Sequence, residues 1–562
     1  IGTGTSVISA DRVAVANASN VSRVFTVAGT ATLNVTGKFE DAATTTNNGM
    51  TKAGAGTMIL SGNNTYTGAT TINNGLVISQ NGTGIPDLST VYIADLATAE
   101  LQITATEQVG LLTGGGTSGG NIIVASGATL TTGNNDGSGS YGGIISGSNV
   151  SLNKRGGGTQ TLTGDNTFSG GVTIQNGTLS VPSITTVGLA QPLGTGGGPI
   201  VLSGASGLAV TGAGTYATSR GLTLANNANT LSVTGTLTLT GGITGGGSSA
   251  TFTKAGAGTF NQSGTGSWNS NVFITEGTYN VTSTGSIGNA GVIRLTNSST
   301  FNINTADQVR AASLDLVSGT VNLTAGTLRT NGITMASGTA FNWSAGTLTM
   351  QSDASGNSGV TDRRAPGSSL SAQPVYEGRI IDVSGAAAAV AIPDGGTLDL
   401  GPTYGSFGMR YDQLRITGSL DLAASGSQTL HFEFNPFFFR PSVFGADGAG
   451  TLILVDATSL SGTFENFTGV YSDYIGFTEA PGSGSVVGVL GTSTLNPLTD
   501  IPANTYYLEY ESDTGNVLFH YRLTATIPEP ASAGLIAMGF LLLRMVRRYK
   551  IAIWRTGRLD AV

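Results

Sequence analysis

Cysteine is absent from the 562 residues, and histidine occurs only at His431 and His520. The first absence excludes a disulfide framework and any thiolate nucleophile or metal ligand. The second leaves almost no raw material for a histidine metal site or a Ser-His-Asp triad. Charge is scarce too: Asp, Glu, Lys and Arg make up 10% of the chain, against about 25% in ordinary globular domains. Lysine occurs five times.

What fills the space is glycine, 87 residues of it, roughly twice the usual share, together with Thr, Ser, Asn and small apolar residues. Disorder is a poor account of this mixture, because disordered segments are depleted in β-branched residues. Here Val, Ile, Thr and Leu recur in alternating bursts such as TLTLTGGIT and NLTAGTLRT. Such bursts predict strands, and the Gly, Asn and Ser clusters between them predict turns. The formal charge of −8 is unevenly placed: residues 531–562 hold six basic groups and one acidic, leaving 18 basic against 31 acidic elsewhere. An acidic body argues against a nucleic-acid partner, which would need a basic face.

The few lysines are not scattered at random. TKAGAGT at 51–57 returns letter for letter at 253–259, and NKRGGGT stands at 153–159. Aligned without gaps, the copies begin KAGAGTMILSGNNTYTGATTINNGL, KRGGGTQTLTGDNTFSGGVTIQNGT and KAGAGTFNQSGTGSWNSNVFITEGT. Lys52, Lys154 and Lys254 coincide, as do Gly56, Gly158 and Gly258, with Thr57 at the matching threonine position of the first copy. Tyr66, Phe168 and Trp268 form an aromatic position. The three copies lie near 52–78, 154–180 and 254–280.

A shorter period runs inside this one. SGTVNLTAGTL begins at Ser318 and SGTAFNWSAGTL at Ser337. A unit of about 20 residues, two or three short strands with glycine corners, suits one coil of a parallel β-helix. The expectation is an all-β chain: a right-handed parallel β-helix (a solenoid) over 1–350, with inward Val, Ile, Leu and aromatic ladders. Twenty-odd coils at the strand spacing would give a rod on the order of 100 Å. Residues 351–375 lack alternation and read as a loop. Strands resume over 376–527, as closing coils or as a separate β-sandwich module. At 528–550, IPEP gives way to an apolar run at 531–543 and a basic cluster, which predicts a short C-terminal transmembrane helix; 551–562 is a basic tail.

Two families are recognisable at these residues. The KxGxGT, LSGxNTYTG and TTINxG unit resembles the autotransporter-associated β-strand repeat of bacterial surface and secreted proteins. The tail resembles a PEP-CTERM sorting signal: Pro528, Glu529 and Pro530, a short apolar helix, then Arg544, Arg547 and Arg548. This second resemblance implies export by a Gram-negative bacterium, a C-terminus initially in the inner membrane, and processing by an exosortase-type enzyme. The chain departs from it by continuing past the arginines as YKIAIWRTGRLDAV, and by opening at IGTGTSVISA without an export signal, which reads as a truncated or mature start.

Three lysines some 100 residues apart cannot serve one active site. They read as structural markers of a recurring strand–turn unit, with a spaced row for an acidic glycan as the alternative. Enzymes on this fold need grouped carboxylates and a cation on adjacent coils, whereas Asp382, Asp394, Asp399, Asp412 and Glu433 are scattered. No catalytic residue, metal or cofactor is therefore assigned. Trp268 and Trp343 would stack on sugar rings if they faced solvent, or fill the core if they faced inward. The function expected is that of an exported cell-surface or matrix protein, structural or adhesive. Its partners would be an extracellular polysaccharide or other surface proteins, with the membrane engaged through the C-terminal helix. The alternatives are a polysaccharide lyase or hydrolase on the same fold, and a self-assembling sheath subunit.

Overall fold

The computed structural model describes residues 4–349, save 16, 17 and 226, and a series of strands between 376 and 524. The tail with Pro528, Glu529, Pro530, Arg544, Arg547 and Arg548 lies outside the described residues, as does the loop at 351–375. Among the described residues there is no helix, and so none long and apolar enough to cross a membrane.

Short strands separated by tight corners stack one coil upon the next, in parallel and mostly in register, through about 15 turns. The result is a β-solenoid. One face runs from Thr32–Val35 through Thr57–Leu60, Leu76–Ser79 and Glu100–Ile103 to Asn121–Val124. Its alternation puts Leu33, Met58, Val77, Leu101, Ile122 and Ile145 directly above one another, all buried. Main-chain hydrogen bonds run along the rod, as from Gln80 N to Leu60 O at 2.9 Å and Thr163 N to Tyr141 O at 3.0 Å. Along the strands the backbone groups are thereby paired with the neighbouring coils.

Fifteen turns correspond to a rod of roughly 70 Å at the strand spacing, shorter than twenty-odd coils would give. Corners account for the difference. Thr57 stands below Leu76, but Gly177 stands below Ser206, so long corner loops take up residues that the short period assigns to further coils.

Parallel stacking continues into the closing region: Thr347–Thr349 pairs with Thr397–Leu400, and that strand with Thr429–Phe434. The order then changes. Thr505–Glu511 and Asn516–Thr524 form an antiparallel hairpin, whose second strand lies antiparallel to 447–455. Buried between its strands, His520 Nε2 and Glu509 Oε2 are 2.7 Å apart.

In a solenoid each coil is stabilised mainly by its two neighbours. Ile122→Ala, which empties one rung, should cost about 2–5 kcal/mol. Amide exchange should show that cost across 100–103, 121–124 and 145–146, and protection unchanged in all three segments would contradict the ladder.

Candidate functional site

The repeated lysines lie inside the rod. Strict alternation turns Lys52 the same way as Met50, Lys154 the same way as Leu152, and Lys254 the same way as Phe252; all six are buried. Lys52 Nζ donates to the carbonyls of Ala53 (3.1 Å), Gly54 (2.6 Å) and Asn74 (3.0 Å). Lys154 Nζ donates to those of Arg155 (2.5 Å), Gly156 (2.8 Å) and Asn176 (3.2 Å). Lys254 Nζ does so to Gly256 (2.5 Å), Gly258 (2.5 Å) and Glu276 (2.8 Å). Every ammonium thus gathers corner carbonyls of its own coil and one from the next coil.

Burial pulls each of the three ammonium groups down from 10.5 to about 8, and Asp136 and Glu276 oppose that fall at Lys154 and Lys254 respectively. At neutral pH they therefore remain cationic and serve as three-way donors. The rest of the repeat is shaped around this contact. Gly75, Gly177 and Gly277 sit at φ of 78°, 63° and 63°, a region that favours glycine. A Cβ at Gly75 would stand 2.4 Å from Gly56 O and 2.5 Å from Lys52 Nζ. Gly158 and Gly258 face the coil before them so closely that a Cβ would come within 2.1 Å of a carbonyl oxygen. Thr57 opens the strand that follows the first corner. These lysines are not available to an acidic glycan.

The aromatic position is also internal: Tyr66, Phe168 and Trp268 are all buried, and so is Trp343. Trp268 meets Phe252 edge to face at 5.4 Å, and the stack continues from Phe260 through Tyr279 to Phe301. Neither tryptophan offers a sugar platform. A further internal cation, Arg220, has no place in the repeat pattern; it donates to Leu193 O at 2.7 Å and Gly198 O at 3.1 Å.

The solvent side holds an arrangement that repeat matching does not reveal. Asn261, Asn280, Asn302, Asn322 and Asn342 stand on successive coils in one column. Each amide donates to the one below: Asn280 to Asn261 (2.6 Å), Asn302 to Asn280 (2.6 Å), Asn322 to Asn302 (2.6 Å) and Asn342 to Asn322 (2.8 Å). Beside it runs a threonine column, Thr236, Thr259, Thr278, Thr300 and Thr320. A primary amide has two donors and two lone pairs, so the ladder leaves one of each free on its inner members. The sequence signal was the recurrence of TFN, TYN, TFN, TVN and AFN.

Glu107 is the one buried carboxylate in the described solenoid. Ser79 Oγ donates to its Oε2, while Oε1 has no partner. No group of His, Asp or Glu able to hold a metal occurs among the described residues. The side chains of Asp382, Asp394, Asp399, Asp412 and Glu433 lie outside the described residues.

Residues 50–78 and 152–181 match the family described as Passenger-associated-transport-repeat, and so cover the first two lysine copies. The chain is also 33% identical over 239 residues to the Adhesin BmaC autotransporter of Brucella suis biovar 1 (strain 1330), a match covering 37% of this chain. It spans only 7% of that relative's length. No solved structure matches the chain.

Two outcomes follow from the buried charges. Lys254→Met leaves three carbonyls without their donor and should destabilise the coils at 251–278 by about 2–4 kcal/mol. Limited proteolysis should then cut near 256–258, and an unchanged digestion pattern would refute the clamp. Glu107 gives up its proton late: burial, with Asp87 adding to it, raises its pKa from 4.5 to about 7 against the Ser79 hydrogen bond. Between those values the folded chain holds a proton that the unfolded chain releases. Stability from this group is therefore full below pH 4.5 and falls, by about 3 kcal/mol in all, as pH rises to 7. Denaturation midpoints of wild type and Glu107→Gln should diverge with rising pH in favour of the variant; parallel curves would disprove the assignment.

Proposed function

We propose that this is an exported cell-surface or extracellular-matrix protein of a Gram-negative bacterium, structural or adhesive in role, acting through the long side of a right-handed rod. The observation that carries the reading is the similarity to an autotransporter adhesin, together with the passenger-associated repeats at 50–78 and 152–181. The regular Asn and Thr columns support it. They offer donors and acceptors at a fixed spacing over many coils, which suits an extended polar partner more than a small substrate. The same two similarities support a non-enzymatic role.

The partners proposed are an extracellular polysaccharide or other surface proteins. The sequence order of the tail supports sorting through Pro528, Glu529 and Pro530, insertion of the C-terminal helix in the inner membrane with Arg544, Arg547 and Arg548 on its inner side, and processing by an exosortase-type enzyme.

Protease added to intact producing cells should digest the solenoid while sparing a cytoplasmic marker, and cells lacking the chain should retain less of their own polysaccharide on pelleting. A protease-protected chain would sink the surface placement; undiminished retention would sink the adhesive role. Alanine in place of Pro528, Glu529 and Pro530 should change the mass or location of the mature chain, and no change in either would remove the tail from this reading.

A further inference from the structure

Two columns of one outer face keep the same chemistry coil after coil. Thr215, Thr236, Thr259, Thr278, Thr300 and Thr320 stand in register, and two residues further along the strands Thr238 and the five ladder asparagines form the second column. Stacking does not demand this. On another outer face of the same coils, one column reads Thr253, Phe273, Arg294, Asp315 and Thr334. Arg294 there pairs with Asp315 at 2.7 Å and lies over the Phe273 ring. The fold accepts unlike neighbours, so the repetition of threonine and asparagine needs a cause of its own. Hydrogen bonding within the ladder supplies one for the asparagines, from Asn261 Nδ2 on Thr238 Oγ1 at 3.1 Å upward. It supplies none for the threonines. The hydroxyls of Thr236, Thr259, Thr278, Thr300 and Thr320 have no hydrogen-bond partner among the described residues and are not enclosed, so they meet solvent.

A third column of small polar residues flanks the asparagines. Thr240, Ser263, Thr324 and Ser344 each donate a hydroxyl to a carbonyl of the coil below, at 3.2–3.4 Å, which leaves their lone pairs free. No Asp, Glu, Lys or Arg stands in any of the three columns. From Thr236 to Asn342 the array measures about 24 Å by 13 Å, roughly 300 Å². A stable protein interface takes about 800 Å² from each partner, so a second copy gains too little here. A charged polymer meets no opposite charge. A neutral array with two regular repeats suits a neutral partner that also has two.

We propose that this face binds crystalline water, as the prism face of an ice crystal. Its rows repeat at about 4.8 Å along the rod and about 6.6 Å along the strand. The oxygens of that ice face lie in rectangular rows whose two repeats are close to these. Hydroxyls and primary amides both donate and accept, as water does, so every position of the array has a counterpart in the lattice. Water held on the two columns is spaced nearly as the crystal requires, and the crystal joins it with little reordering. One such contact is weak, but contacts fixed in register act together. The inference goes beyond the adhesive reading and does not rest on it.

The test is partition into ice. A dilute solution of the full chain is frozen slowly, and the protein in the ice is compared with that left in the liquid, with serum albumin as the excluded reference. The full chain should enter the ice and albumin should not. Thr278 and Thr300 are partly open to solvent, so Thr278→Tyr and Thr300→Tyr each set a ring on the array without touching the core. Either variant, once shown to melt as wild type does, should lower the partition at least about tenfold, because one obstruction lifts the lattice off neighbouring rows. Thr334→Tyr, on the irregular outer face, should change nothing. Exclusion of the full chain to the level of albumin would overturn the proposal. So would undiminished partition in both array variants, or an equal loss in Thr334→Tyr. A dimer in sedimentation that Thr300→Tyr dissolves, found in place of ice partition, would give the face to a second copy instead.

Discussion

Everything in this rod depends on the main-chain hydrogen bonds that run along its axis from one coil to the next. They fix the coil spacing at about 4.8 Å, so each residue must live directly over its counterpart one coil below. Like then stacks on like: Leu101 on Val77, Asn302 on Asn280, Thr300 on Thr278. Most interior positions accept this readily, because aliphatic side chains pack on one another without regard to identity. Corners do not. There the ladder breaks, carbonyls turn inward, and an unsatisfied buried carbonyl costs free energy comparable to a lost hydrogen bond.

The recurring lysine answers that difficulty. A charged donor reaches several carbonyls at once and needs no carboxylate partner, so one residue closes a corner and fastens it to the next coil. The glycines around it follow from the crowding: at Gly75 any side chain would collide with the ammonium and with Gly56 O. Copy three departs from part of the scheme: Gly266 stands where the first two copies carry Asn64 and Asn166, and Ser286 O and Gln262 Nε2 close over it.

The stacked parallel architecture was legible in the sequence because stacking copies the sequence onto itself; KAGAGT recurs at 52–57 and 254–259, and Ile72, Ile174 and Ile274 coincide, since each serves the same spot in the same corner. The inward direction of the lysines was written in the alternation as well, Lys52 sharing its parity with Met50 and Lys254 with Phe252. It is obscured only by the general expectation that lysine faces water. Trp343 shares its parity with Phe341 in the same way, which removes it from the surface. The Asn ladder was harder to see. Asparagine is a natural corner residue, as Asn81 and Asn297 show with φ of 63° and 51°, and nothing in one strand alone distinguishes Asn302 from these. Coil number escaped the short period because corner loops such as 182–199 lengthen a turn without adding a strand to it. The slips in pairing between Ile287 and Ala290 and between Asn304 and Gln308 have no motif either.

The lysine clamps have a chemical corollary. A primary amine enclosed by three carbonyls is hidden from amine-seeking reagents for as long as its corner stays shut, whereas Lys38, beside Glu40, is partly open to solvent. With so few amines in the chain, the reactivity of Lys52, Lys154 and Lys254 becomes a native gauge of breathing at three heights along the rod. Each amine answers when its own corner opens, whether or not the others do.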